Sequence, residues 1–267
     1  MTWWQSLFLG VLQGITEFLP VSSSGHSALA QMSFERLGFP FRQPGVVFDA
    51  MLHVGTATAV VFSERGQLRR WLTTIDGRRL LALLVTGTFA TAILAFPLRG
   101  PATAAFQNPK VVGLCLVLTG LLVLSTRFLP GGVSVEGSMS WKQAGVIGLM
   151  PGLAVFPGIS RSGATITAGL ALGLDRAWVA RFSFLLSVPA IVGATLVELI
   201  SHREELATGG ASFWGVTFLG AAAAAVTGYF ALQLVIRLVG SRYFHRFAWY
   251  CLPLGLVVLT LSWVVRS

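Results

Sequence analysis

Two polar stretches interrupt an otherwise apolar chain, and both carry residue types suited to handling phosphate. The first is Gln13-Gly14-Ile15-Thr16-Glu17-Phe18-Leu19-Pro20-Val21-Ser22-Ser23-Ser24-Gly25-His26. Gln13 and Glu17, four apart, share one helical face that ends just before Pro20, which aims the Glu17 carboxylate at the break. A carboxylate with hydroxyls and an imidazole can bind a divalent cation, activate an oxygen nucleophile or relay protons. The second stretch is Pro157-Gly158-Ile159-Ser160-Arg161-Ser162-Gly163-Ala164-Thr165. Its glycine-flanked turn offers backbone amides at the start of a helix, and its guanidinium adds a fork of donors matched to phosphate oxygens. Ser22, Ser24, Ser160, Arg161, Ser162 and Thr165 are the phosphate-binding candidates. Each has a plain structural alternative: serines satisfy broken backbone near helix ends, Thr165 can simply pack, and Arg161 can pair with Glu17 to tie the stretches together.

A charge near the centre of a bilayer costs about 2.5–3.5 kcal/mol even on insertion-based scales, so Glu17 and Arg161 call for a functional reason. Asp49 reads as a helix-start residue in preference to a second acidic group near the outer mouth, and His53, Gln31 and Glu198 read as ordinary polar positions. Sliding one stretch onto the other pairs Gly14 with Gly152, Phe18 with Phe156, Ser22 with Ser160, Ser24 with Ser162 and Gly25 with Gly163. A weaker match further on pairs Phe48 with Phe182 and Val54 with Val188.

The elements that hold these stretches must be membrane helices. Of 267 residues, 54% are hydrophobic and 11% charged, and the mean hydropathy is +0.76, values foreign to a soluble domain. Met1-Thr2-Trp3-Trp4 lacks a basic leader, so the first apolar segment is expected in the mature fold. Cys115 and Cys251 sit inside apolar runs and read as buried thiols. The net charge of +9 is dispersed over short loops, which fits membrane topology and excludes a nucleic-acid stripe.

Residues 3–19 and 26–36 form two half-length segments around a tip at Pro20–Gly25, a re-entrant hairpin. A polar turn at 37–45 follows, then spans at 46–62, 80–98 and 110–128, with an arginine-rich loop at 64–79 and an Arg99–Lys110 connection. After a loop at 129–140, segments 141–156 and 164–174 repeat the hairpin, and spans follow at 182–200, 212–236 and 247–265. The chain is thus one all-α membrane domain of two repeats, about 1–128 and 141–267, each a hairpin plus three spans. An odd number of crossings per half makes the second repeat inverted. With the 64–79 loop in the cytoplasm, Lys and Arg favour that side roughly two to one.

Taken together, Gln13-x-x-x-Glu17 with Phe18 to His26, Pro157 to Thr165, and Phe182-Ser183-Phe184-Leu185-Leu186-Ser187-Val188-Pro189-Ala190 resemble the undecaprenyl-diphosphate phosphatases of the bacitracin-resistance type, over essentially the whole chain. The resemblance implies hydrolysis of the lipid diphosphate in a bacterial inner membrane, with a site facing the periplasm. It implies a catalytic group of Glu17, Ser23, His26 and Arg161, a phosphate-binding group around Ser160, Arg161 and Thr165, and a divalent cation, Mg2+ or Ca2+, with Glu17 and Gln13 as its candidate ligands. Gln13 stands at a place where that family takes Glu or Gln, which leaves one carboxylate fewer. The expected partners are the polyisoprenyl diphosphate and the membrane, not nucleic acid, and a homodimer is allowed. Another lipid-phosphatase class shares Ser-Gly-His, but it needs a histidine and an aspartate where Thr167 and Ala171 stand. Broken helices in inverted repeats also serve transporters, so a lipid-phosphate flippase is the rival reading.

Overall fold

The computed structural model describes residues 1–36 and 45–264, and the polar turn read at 37–45 lies almost wholly outside them. The described residues form α1 (Trp3–Phe18), α2 (Ser23–Arg36), α3 (Val46–Glu64), α4 (Leu68–Thr73), α5 (Ile75–Ala105), α6 (Pro109–Ser125), α7 (Trp141–Leu153), α8 (Arg161–Ala171), α9 (Arg176–Ser201), α10 (Arg203–Thr208), α11 (Ala211–Gly240) and α12 (Ala248–Val264). Among them the only β pairing is a single bridge between Ser134 and Leu174. Five helical segments, Val46–Gln67, Ile75–Ala105, Arg176–Ser201, Ala211–Gly240 and Phe244–Val264, are long and apolar enough to cross a bilayer. The chain is a multi-pass, all-helical membrane protein.

Several boundaries differ from the sequence reading for identifiable reasons. The span read at 80–98 is a helix of 31 residues that continues through Pro97 and Pro101 to Ala105, so Arg99 lies on α5 and not in a connection. Both prolines are exposed on the outside of the bundle, and membrane helices tolerate proline because the freed carbonyls find other partners. The crossing read at 110–128 shrinks to α6, whose 17 residues span about 25 Å, against about 30 Å of bilayer core. The 64–79 loop folds into a 3-10 turn and α4, and Arg78 and Arg79 join α5. Arg79 reaches across to the carbonyls of Gly137 and Met139 at 3.0 and 2.6 Å. Arg176 and Arg181 belong to α9, where Arg181 pairs with Glu64 at 3.0 Å, and the connection between the spans read at 182–200 and 212–236 contains the short α10.

What matters for the site is how the two broken pairs, α1–α2 and α7–α8, are held. Helix α1 packs on α11 and α3, α7 packs on α5, α6 packs on α12, and α3 lies against α9 and α11. Phe18, the last residue of α1, is fully buried and meets Phe184 edge-on, their ring centres 5.5 Å apart. This seats the end of α1 in the main apolar core. The approach of α1 to α11 depends on Gly14: a Cβ there would stand 2.0 Å from Thr227 Oγ1 and 2.6 Å from the Ala224 carbonyl. Small residues are what let membrane helices approach this closely.

Gly14→Ala therefore forces α1 off α11 and should destabilise the protein by about 1–3 kcal/mol, the usual range for overpacking. Gly100→Ala, where an added methyl meets nothing within 4 Å, serves as the control. Thermal denaturation in detergent should lower the melting temperature of the first variant and spare the second; equal shifts would contradict this packing.

Candidate active site

Each break is a short non-helical segment whose backbone is satisfied by side chains. Helix α1 stops at Leu19–Pro20, and Ser22 takes the left-handed conformation at φ 68°, a strained choice for a residue with a Cβ. The strain is held by bonding: the buried Ser22 hydroxyl accepts from the amides of Gly25, at 3.2 Å, and of Gly158 in the other break, at 3.0 Å. In the second break Gly158 has φ 104°, and a Cβ on it would lie 2.5 Å from the Val112 carbonyl. Thr119 of α6 clasps this turn from behind, donating to the Gly158 carbonyl at 2.7 Å and accepting from the Ser160 amide at 2.9 Å. Ser160 then caps α8, its hydroxyl accepting from the Gly163 amide at 3.1 Å. Cys251 of α12 donates to the Pro20 carbonyl and steadies the first break in the corresponding way.

Where the breaks meet, Glu17 and Arg161 face each other. Arg161 Nη2 donates to Glu17 Oε1 at 2.9 Å. Ser23 Oγ donates to the other oxygen, Oε2, at 2.6 Å, and Gln13 Nε2 donates to the same oxygen at 2.8 Å. His53 Nδ1 stands 3.0 Å from Gln13 Nε2 and 3.6 Å from Glu17 Oε2. Glu17 is only 7% exposed, so its charge is balanced by these donors and not by water. One donor is left over. Arg161 Nη1 is buried and, among the described residues, has no hydrogen-bond partner, which is costly for a charged group unless a ligand completes it.

A cavity of about 460 Å3 opens beside this cluster. Its wall includes Glu17, Ser22, Ser23, Ser24, Ser160 and Arg161, so the structure gathers those sequence candidates around one space. Gln13 stands behind Glu17 and orients it. Ser162 is fully buried and donates to the Leu19 carbonyl at 3.2 Å, tying the two breaks together. Thr165 is turned away from the cavity, its hydroxyl engaged with the Arg161 and Ser162 carbonyls and with Ser183. His26 departs from the expectation most clearly. Its Nδ1 is 2.8 Å from the Ser22 carbonyl, its Nε2 is 2.7 Å from the Tyr250 hydroxyl of α12, and its ring stacks on Tyr250. Both ring nitrogens are thus engaged away from the Glu17 cavity, one held by the Ser22 carbonyl and the other by Tyr250.

Local pattern does not single out Asp49, His53, Arg99 or Glu198 as site residues, yet all four line the cavity. Asp49 is a first-turn residue of α3, as expected, but it also faces this space. One signal in the sequence does bear on two of them: Asp49 and His53 are four apart on one apolar helix, the same spacing as Gln13 and Glu17.

The described residues hold no group of three His, Cys, Asp or Glu side chains placed to bind a metal. One fully engaged carboxylate, Glu17, with Asp49 and Glu198 elsewhere on the wall, does not make a protein cage. Such a donor set could hold a hard cation only together with oxygens from elsewhere.

Residues 6–257 match the family model described as bacitracin resistance protein BacA. The chain is 44% identical over 275 aligned residues to an undecaprenyl-diphosphatase of Desulfosudis oleivorans, covering 96% of this chain and 97% of the relative. A protein of the same name from Desulforapulum autotrophicum is 40% identical, with 99% and 100% covered, and one from Methanosphaera stadtmanae is 34% identical, with 97% and 98% covered. The matches run through both breaks and the helices that brace them, and on that evidence the chain belongs to the BacA family.

Proposed function

We propose that the chain hydrolyses undecaprenyl diphosphate to undecaprenyl phosphate and inorganic phosphate, recycling the lipid carrier of bacterial envelope synthesis and thereby conferring bacitracin resistance. The observation that carries this reading is the buried, unpartnered Arg161 Nη1 beside the Glu17–Ser23 hydrogen bond. A terminal phosphate placed there completes the guanidinium and meets a hydroxyl already bonded to a base.

Ser23 Oγ attacks the terminal phosphorus and its proton passes to Glu17 Oε2. The bond to the bridging oxygen breaks and its electrons leave with the lipid monophosphate. Water then attacks the phosphoserine; the Ser23 oxygen departs, recovers the proton from Glu17, and both water protons leave with the phosphate. Arg161 and the amides at the start of α8 stabilise charge on the phosphoryl group, the dominant contribution in such transfers. Mg2+ or Ca2+, bound with the diphosphate, would add charge neutralisation, with Glu17 and Asp49 as the carboxylates that would hold it. His26 acts on the reaction through the Ser22–Ser23 turn that it buttresses against Tyr250.

The two breaks are read here as re-entrant hairpins of an inverted repeat, residues about 1–128 and 141–267. The matched motifs support this, and so does the exchange of packing partners: α1 lies on α11 of the other half and α7 on α5 of the other half. The cavity wall runs from Ser187, midway along α9, to Glu198 near its end, at the end of the bundle remote from the arginine-rich 65–79 segment. In an inner membrane this mouth faces the periplasm, since arginine-rich loops stay in the cytoplasm.

Purified protein in detergent with undecaprenyl diphosphate and magnesium should release phosphate with no membrane gradient, and chelating the cation should stop the release. Glu17→Gln and Arg161→Ala, folded by thermal-shift criteria, should each lose about 10²–10³-fold or more in kcat; activity within a few-fold of wild type would refute the site. Acid-quenched turnover should leave phosphate on Ser23, and a label that persists in Ser23→Ala would assign the nucleophile elsewhere. For orientation, Ser201→Cys should react with a membrane-impermeant maleimide applied to intact cells, and Gly66→Cys should not; the reverse pattern would invert the topology.

A further inference from the structure

A second cavity, of about 440 Å3, lies between α5 and α9 and is lined chiefly by apolar residues such as Phe96, Val155, Pro189 and Val197. It shares a broad boundary with the first cavity, seven residues that run from Thr91 and Val155 through Ala95, Ala190 and Ala194 to Arg99 and Glu198. Apart from two threonines, the polar lining of the second cavity is Arg99 and Glu198. Arg99 stands on α5 between Pro97 and Pro101 and is hydrogen-bonded to Glu198 of α9. Its side chain is 46% exposed and that of Glu198 24%. His202 Nδ1 approaches the second Glu198 oxygen at 3.3 Å. This ion pair therefore spans the seam between a chamber fit for phosphate and a chamber fit for hydrocarbon.

A lipid diphosphate with its terminal phosphate at Arg161 and its first isoprene units in the apolar cavity must thread that seam. The phosphate attached to the lipid is the charged group nearest that boundary, where Arg99 and Glu198 are the only charged residues lining both cavities among the described residues. A guanidinium suits it, since arginine binds phosphate through two parallel donors. We propose that Arg99 is a second phosphate-binding residue, which holds the phosphate that stays on the lipid, and that Glu198 is a resident competitor for Arg99 which the entering diphosphate displaces. This inference rests on reading the chain as a lipid diphosphatase. Glu198 keeps the cation neutralised in the empty site and is exchanged for a ligand carrying more negative charge.

The contact is to the retained phosphate, so it is made both before and after transfer and acts mainly on binding. Interactions shared by ground state and transition state appear in KM more than in kcat. Arg99→Gln should raise KM for undecaprenyl diphosphate at least about tenfold while kcat falls far less, and should weaken product inhibition by undecaprenyl phosphate in parallel. Arg99→Lys should recover part of the loss. Glu198→Gln should do the opposite, lowering KM and strengthening product inhibition, because it frees the guanidinium.

These opposite signs separate a binding role from a structural clamp. If the pair merely fastened α5 to α9, both variants would lower thermal stability and change kinetics in the same direction, and that result would overturn the inference, as would an Arg99→Gln KM within twofold of wild type. Should Arg99→Gln fail to fold, Glu198→Gln decides alone, since a raised or unchanged KM refutes competition. Wild type releasing no phosphate would sink the diphosphatase reading itself; an active wild type, an inactive Arg161→Ala and unaltered Arg99 and Glu198 variants would sink this inference alone.

Discussion

The contact between Glu17 and Arg161 is the constraint on which the rest depends. Each charge alone would destabilise an apolar bundle, and removing one partner of such a buried pair typically costs about 3–5 kcal/mol. Together they are tolerable only because Ser23 and Gln13 occupy the remaining carboxylate lone pairs at 2.6 and 2.8 Å. The partners come from breaks 144 residues apart in sequence. Neither break has a reason to exist without the other, because each supplies what the other lacks: one the base and hydroxyl, the other the cation and the amides of a helix start.

Holding two interrupted helices face to face demands packing that leaves no slack. The Ser22 hydroxyl, accepting one amide from each break, serves as a common pin, and Thr119 and Cys251 hold the turns from α6 and α12, which pack on one another. The charged residues are therefore mounted on a frame of small residues and short hydrogen bonds, while the long spans supply the wall. Water is kept from most of the cluster, which strengthens every charge interaction inside it.

Much of this is legible in the amino-acid sequence. Prolines and serine runs at hydrophobic depth have few explanations, and the paired motifs by themselves point to a meeting of Glu17 with Arg161. The misreadings share physical causes. Pro97 and Pro101 look like an end to helix α5, yet in lipid a helix has no better alternative than to continue. Nearness along the chain groups His26 with Ser23 on one helical face, although the Ser22 carbonyl and Tyr250 hold the imidazole outside the cavity. Arg99 and Glu198 escape notice because their meaning lies in what faces them across helices distant in sequence, and for Asp49 and His53 the sequence offers only their four-residue spacing.

The shortness of α6 has a bearing on the lipid itself. Its exposed leucines, among them Leu114, Leu118 and Leu121, present a hydrocarbon-facing stripe on a helix about 5 Å shorter than the bilayer core it meets. Such a mismatch is met by thinning of the bilayer, by snorkelling of flanking residues or by association, at fractions of a kcal/mol per ångström. The protein's working conditions therefore depend on the thickness and composition of the host membrane.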